Sequence, residues 1–153
     1  MWGNWLATAA VLLGFFDNGE QFAIRGAIDG ALERLKNPAC REVLTDFVDV
    51  NGRPLADSLA ARGTDIAAAF AVLRFVDGES ERPCRALQSR TMAFTAPRAR
   101  IIHVCAIRFK DLFVRNAPIA EIVVIHEFLH TIGLGENPPT TDAITAQVRR
   151  RCG

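Results

Sequence analysis

The first half of the chain has the hydrophobic periodicity of helices. Apolar residues recur at three- and four-residue intervals over residues 18–36, after Asp17, which can serve as the helix N-cap. Asn37-Pro38 ends this helix. Three shorter helices are predicted to follow it, over residues 40–47, 55–61 and 66–74. Residues 1–76 are therefore predicted to be mainly helical.

The pattern changes to β-type runs in the second half. Residues 91–95 and 100–109 are rich in β-branched and aromatic residues, which are favoured in strands. The short link 96–99 between them contains a proline. The simplest interpretation is an antiparallel β-hairpin over residues 90–110.

Two more helices are predicted after the hairpin. Asn116 stands in N-cap position with Pro118 just inside, so a helix is expected over residues 117–133, ended by a glycine. A last helix is expected over residues 140–151, after a Pro-Pro pair. We therefore predict a helix-rich α+β fold in which a small antiparallel hairpin or sheet lies beside helix 117–133.

The composition is that of one folded domain. A chain of 153 residues with 50% hydrophobic and 23% charged residues fits a single globular unit, so we assign residues 1–153 to one domain. The formal net charge of +1 gives no electrostatic basis for binding nucleic acid or an anionic membrane.

The N-terminal apolar run over residues 5–16, WLATAAVLLGFF, allows two interpretations. It has the length of a signal-peptide core, but no basic residue precedes it and no clear cleavage site follows. It is too short to span a bilayer as a helix, so no stable membrane span is predicted. We favour the alternative that it is the first core helix of the domain.

The four cysteines Cys40, Cys84, Cys105 and Cys152 contain no CxxC pair, which argues against a thiolate zinc site or a thioredoxin-like motif. Their even number and wide spacing suit two disulfides, with three possible connectivities. We favour Cys84–Cys105, whose residues the hairpin brings closer, and Cys40–Cys152. Disulfides indicate a secreted or periplasmic protein. The alternative is four free thiols in a cytoplasmic protein.

Chemistry is concentrated in the segment HEFLH, residues 126–130, on predicted helix 117–133. His126 and His130 project from one helix face, and this spacing lets one helix supply two nitrogen ligands to Zn²⁺. Glu127 is rotated about 100° from the first histidine, where a base can take a proton from a metal-activated water. The preceding residues are apolar, so both histidines should be buried and need partners. A metal is one such partner, and core hydrogen bonds are the alternative.

The longer segment HEFLHTIGLGE, residues 126–136, resembles the zincin metallopeptidases and the metzincin signature HExxHxxGxxH/D. In that family a glycine ends the active-site helix, and a residue three positions later binds the metal. Gly133 and Glu136 occupy these two positions. Histidine or aspartate is usual at the second, although a glutamate oxygen is acceptable to zinc. Asp142 is the other candidate ligand, in a thermolysin-like arrangement.

The resemblance is to a minimal zincin rather than to a standard metzincin. Metzincins carry a methionine-containing turn after the third ligand, whereas the two methionines of this chain are Met1 and Met92. The segment is also similar to the end of short bacterial proteins of a suspected peptidase family.

The resemblance implies a zinc-dependent peptidase with one Zn²⁺ per chain. The metal would be held by His126, His130 and Glu136. Glu127 would act as the general base toward the water that attacks a peptide carbonyl. The implied partner is therefore a peptide or protein substrate.

In zincins an edge strand binds the peptide by strand addition, and the predicted strand 100–109 is the candidate here. His103 on that strand would stabilise an oxyanion or polarise the substrate carbonyl. Two alternatives belong to other classes: a non-catalytic binding module with a structural metal site, and a helical domain without metal.

Overall fold

The structure of the protein is a computed structural model, which describes residues 12–13 and 15–153. This part of the chain has the helix-rich α+β fold that the sequence predicts. Most of the apolar run 5–16 lies outside the described residues, so the choice between a core helix and a signal sequence stays a prediction. Of its described residues, Leu12–Leu13 form strand β1 and not a helix, and Phe15 and Phe16 are not helical. Within the described range, no helix has the length and hydrophobicity to cross a membrane.

The helices of the described residues are α1 (Asn18–Leu35), α2 (Pro38–Arg41), α3 (Val43–Asp46), α4 (Leu55–Ala61), α5 (Ile66–Ala71), α6 (Arg82–Arg85), α7 (Ala106–Thr131) and α8 (Thr141–Cys152). The capping predicted at Asp17 is confirmed: its side chain accepts from the Glu20 N–H at 2.7 Å, and the Glu20 carboxylate accepts from the Asp17 N–H. The helix predicted over residues 40–47 is replaced by the two single-turn helices α2 and α3.

A four-stranded mixed sheet completes the fold. Its strands are β1, β2 (Arg74–Asp77), β3 (Ala93–Phe94) and β4 (Ile101–Val104), and their spatial order is β1-β2-β4-β3. Strands β1, β2 and β4 are parallel, with Phe75 opposite Ile102. Strand β3 is antiparallel to β4, with Phe94 opposite His103. The predicted hairpin is thus confirmed as the β3–β4 pair.

Three details of the prediction are wrong. The predicted helix 66–74 ends at Ala71, and the residues that follow form β2, which pairs in parallel with β4. The predicted strand 100–109 ends at Val104, because the chain turns at Cys105 into α7. Strand β4 is also not an edge strand: β2 and β3 cover its two sides, and among the described residues β3 lies at one edge of the sheet.

Helix α7 is the central element of the core. It bends at Asn116, whose backbone angles (φ −157°, ψ 76°) are not helical and whose side chain accepts from the Ile119 N–H at 3.3 Å. The predicted N-cap at Asn116 is therefore confirmed, although another helical segment precedes it. Helix α7 packs along α1 and against α8. Its residues Ile125, Phe128 and Leu129 are completely buried.

Both favoured disulfides are present. Cys40–Cys152 joins α2 to the end of α8 with a Cα–Cα distance of 4.5 Å. Cys84–Cys105 joins α6 to the start of α7 with a Cα–Cα distance of 5.3 Å. Such bonds persist in an oxidising environment, so the two pairs are compatible with a secreted or periplasmic location.

Candidate metal centre

The second segment of α7 carries the HEFLH residues to the base of a small cleft. Because the helix is buried on all sides over residues 124–131, its polar side chains are removed from bulk water. His126, Glu127 and His130 are each at most 6% exposed. Gly133 has φ +125°, a conformation that favours glycine, and turns the chain after the helix. This turn brings Glu136 back toward the two histidines.

Three donor groups converge at this point. Ligand atoms of His126, His130 and Glu136 all lie within 4.8 Å of one another. The two histidine Nε2 atoms are 3.2 Å apart. Two nitrogens bound to one tetrahedral zinc at 2.0–2.1 Å are about 3.3 Å apart, so the spacing of the imidazoles suits a shared metal. The group could therefore hold a metal ion.

Hydrogen bonds on the outer side fix both imidazoles. The Nδ1 of His130 lies 2.8 Å from the Leu134 carbonyl oxygen, which can only accept. The neutral ring therefore carries its proton on Nδ1 and presents a lone pair at Nε2. The Nδ1 of His126 lies 3.0 Å from the Thr145 hydroxyl. Ligating histidines are usually held in this way by an outer partner of the second nitrogen.

The Thr145 hydroxyl can donate or accept, which gives His126 two compatible proton positions. Without a metal, its Nε2–H can donate to the Nε2 of His130; with a metal, the proton can sit on Nδ1 and both Nε2 atoms can coordinate. Burial lowers the pKa of His126 to about 4, and the neighbouring His130 adds to the effect. The ring is therefore neutral, as a metal ligand must be.

Glu127 stands beside the histidine pair with one carboxylate oxygen unsatisfied. Its Oε2 is buried and has no hydrogen-bond partner among the described residues. Burial and, to a smaller extent, the nearby carboxylate of Glu136 together raise the pKa of Glu127 to about 8. A cation between the histidines would oppose both effects and favour the ionised form.

The cleft over these residues has a volume of about 220 Å³. One wall comes from α6 and the edge strand β3, and another from the turn after α7 and the start of α8. The lining residues are Pro83, Thr91, Ala93, Phe94, Thr95, His126, Glu127, His130, Glu136 and Thr141. A larger cavity of about 800 Å³ lies around the Cys40–Cys152 disulfide, but its charged side chains are already in ion pairs: Glu33, Arg34, Lys36, Glu121 and Arg151. The smaller cleft is therefore the better candidate for chemistry.

Two candidates from the sequence are not part of the donor group. Asp142 is exposed in the first turn of α8 and does not belong to the group of three. His103 on β4 stacks on the ring of Phe94 with centroids 4.8 Å apart, and its Nδ1 has no partner among the described residues. It does not line the cleft, but it supports Phe94, which does.

The sequence did not reveal the partners of the histidines. Thr145 and the Leu134 carbonyl reach them through the packing of α8 and the turn after α7, which no local pattern encodes. The predicted strand 91–95 covers only Ala93–Phe94 in the structure, and the sequence did not indicate that this segment forms a wall of the cleft.

Comparisons with protein-family models, with curated proteins and with solved structures gave no match to this chain.

Proposed function

We propose that the protein is a zinc-dependent peptidase in which His126, His130 and Glu136 hold the metal. One observation carries the proposal: the three donors converge beside the buried carboxylate of Glu127, whose Oε2 has no partner among the described residues. A buried, unpaired carboxylate is costly, and such groups are common at functional sites. The bound zinc would supply Lewis-acid polarisation of the substrate carbonyl and make water more acidic.

Glu127 is the proton carrier of the proposed reaction. Its carboxylate takes a proton from the attacking water as that oxygen bonds to the peptide carbonyl carbon. It then delivers the proton to the leaving amine as the C–N bond breaks. Burial, and secondarily the Glu136 carboxylate, raise the pKa of Glu127 to about 8 without metal, and a bound cation would lower it.

The substrate of the proposed reaction is an extended peptide lying along β3. Among the described residues β3 pairs only with β4, and its residues Ala93 and Phe94 line the cleft. A peptide can add to the free side of such a strand through backbone hydrogen bonds. Strand β3 therefore takes the role that the sequence assigned to strand 100–109.

A catalytic site has better support than a structural one. Within the described part of the chain the donor group contains three members. Structural zinc sites usually have four protein ligands, whereas catalytic sites have three and an open position. Exposure of Glu136 on the cleft side is consistent with access from solvent.

The test compares two glutamine variants on the same helix. Glu127→Gln should retain about one zinc per chain and reduce cleavage of a peptide library by roughly 10²- to 10⁴-fold, because the base is lost while the ligands remain. Glu121→Gln is the matched control. Glu121 is partly buried, is bound to Arg34 at 2.5 Å and lies outside the cleft. Its loss should leave cleavage unchanged.

The peptide library is incubated with tag-free, zinc-loaded protein, with and without chelator. The cleavage products are identified by mass spectrometry. Undiminished hydrolysis by Glu127→Gln would show that Glu127 is not the general base. Wild-type protein that binds no zinc would overturn the metal site itself.

We also propose that the protein works outside the cytoplasm, because both cysteine pairs are positioned for disulfides. Thiol titration of protein extracted under alkylating conditions should find no free thiols. Four reactive thiols in the native protein would contradict this location.

A further inference from the structure

The turn after α7 supports two members of the donor group at once. The Leu134 carbonyl holds the Nδ1 of His130 at 2.8 Å, and Glu136 follows two residues later. A shift of this turn would therefore disturb both the orientation of the second imidazole and the position of the carboxylate. The residues that hold this turn in place therefore also fix the positions of His130 and Glu136.

A loop from the first half of the chain, residues 48–53, packs directly against this turn. Its Val50 N–H donates to the Gly133 carbonyl at 3.1 Å, and Asp49 forms an antiparallel bridge with Leu134. A Cβ at Gly133 would lie 3.0 Å from the Asp49 Cβ, so the two backbones approach as closely as glycine permits. The loop thus lies against the turn that presents the ligands.

The carboxylate of Asp49 organises that loop from the inside. It is 6% exposed, and its Oδ1 accepts from the N–H groups of Asn51 at 2.8 Å and Arg53 at 3.0 Å. Its Oδ2 accepts from the Ser58 hydroxyl at 3.0 Å and lies 3.5 Å from a guanidinium nitrogen of Arg98.

Arg98 connects the same carboxylate to the helix end. Its backbone N–H donates to the His130 carbonyl at 2.9 Å. Asp49 therefore contacts the C-terminal end of α7 along two routes, through the Gly133–Leu134 backbone and through Arg98.

We propose that Asp49 is a positioning residue of the metal centre, which fixes the turn that carries the Leu134 carbonyl and Glu136. The proposal rests on the proposed metal site. Removing the carboxylate leaves two backbone N–H groups and a hydroxyl without their acceptor, so the loop relaxes and the turn loses its support. Changes to outer partners of metal ligands typically weaken metal affinity by roughly 10- to 100-fold.

The experiment measures zinc affinity by competition with a chromophoric chelator and the visible absorption spectrum of the Co²⁺-loaded protein. Asp49→Ala should bind zinc roughly 10- to 100-fold more weakly than wild type. Its Co²⁺ spectrum should move toward that of Glu136→Gln, because the third ligand is displaced in both. Asp49→Asn, which keeps one acceptor oxygen, should lie between wild type and Asp49→Ala.

The matched control is Asp65→Ala. Asp65 also accepts a backbone hydrogen bond, from Ala68 at 2.8 Å, but it caps α5 and not the loop beside the metal centre. It should lower the thermal midpoint and leave affinity and spectrum unchanged. This control separates a positioning role from general destabilisation.

The outcomes are distinguishable. Folded Asp49→Ala with wild-type affinity and spectrum overturns the positioning role alone. If Asp49→Ala does not fold, wild-type values for Asp49→Asn overturn it instead. Wild-type protein that binds neither zinc nor cobalt overturns the proposed function, and this assignment with it.

Discussion

The two segments of α7 have the same backbone structure but opposite surroundings. In the leading segment, residues 106–115, the side chains of Ile107 and Val114 are 64% and 77% exposed. Its Lys110 is paired with Asp17 at the surface, and its Asp111 with Arg115. In the site segment, residues 117–131, every residue from Val124 onward is buried, including His126 and His130.

The comparison shows that the energetic cost of burying polar side chains falls on the site segment of α7. A solvated ion pair costs little, whereas a buried carboxylate or imidazole without a partner costs several times more. The site segment contains one such group, the Glu127 carboxylate, beside two buried imidazoles that are hydrogen-bonded, so apolar packing around the segment must offset the cost of burying them. The change from exposed to deeply buried surroundings follows the bend of the helix at Asn116.

Core packing should give the largest difference between the segments. Phe128 is fully buried and stacks on Phe70 with ring centroids 4.2 Å apart. Phe128→Ala should lower the free energy of unfolding by about 3–5 kcal/mol. Val114→Ala in the leading segment should change it by less than about 0.5 kcal/mol. Urea unfolding measures both, and equal losses would contradict the contrast.

Zinc affinity should depend on the histidines of the site segment and not on His103. His130→Ala removes a proposed ligand and should weaken zinc affinity by at least about 100-fold, equivalent to about 2.7 kcal/mol. His103→Ala removes the third histidine of the chain, which does not line the cleft, and should leave affinity unchanged. Calorimetric titration decides between them. A loss of affinity in both variants would show that the donor group is incomplete.

The stability of the metal-free protein should fall as pH rises from 6.5 to 8. The pKa of Glu127 is raised from 4.5 to about 8 in the folded state, so in this interval the unfolded chain binds fewer protons. The loss should reach at most about 1.4 kcal/mol per pH unit.

His126 acts in the opposite sense below this range. Its pKa falls from 6.5 to about 4 on folding, so its contribution rises with pH only up to about 6.5. The variant Glu127→Gln should therefore flatten the slope between pH 6.5 and 8. Thermal midpoints in the presence of chelator measure it, and an unchanged slope would assign the effect to another group.

A surface ion pair in the leading segment should give the smallest effect. Asp111 and Arg115 are paired one helical turn apart and are both mostly exposed. Asp111→Asn should alter the free energy of unfolding by less than about 0.5 kcal/mol, and high salt should remove even that difference. Thermal unfolding at two salt concentrations is sufficient. A larger, salt-independent loss would mean that this segment also supports the core.

The sequence predicted correctly those features that depend on residues close together in the chain. The N-caps at Asp17 and Asn116, the glycine turn at Gly133 and the i, i+4 histidine pair are encoded within a few residues, and each is present. The hairpin and both disulfides also followed from patterns in the chain. The donor group of His126, His130 and Glu136 came from one contiguous segment.

Features that depend on distant contacts were missed. The start of α7 is fixed by the Glu79 carboxylate, which accepts from the Ile107 N–H at 2.9 Å, and by Arg108, which donates to the carbonyls of Thr91 and Cys84. Without those contacts the apolar, β-branched residues before and after Cys105 resemble one long strand. Strand β2 likewise depends on its pairing with β4, and the role of Asp49 depends on a turn far along the chain.

The Cys40–Cys152 bond has a consequence for proteolysis. It spans a sequence separation of 112 residues and closes most of the chain into a covalent ring. A single backbone cut anywhere between these cysteines therefore opens the ring without releasing a fragment. For a protein proposed to cleave peptide bonds, nicked molecules would stay in one piece on a non-reducing gel and separate only after reduction.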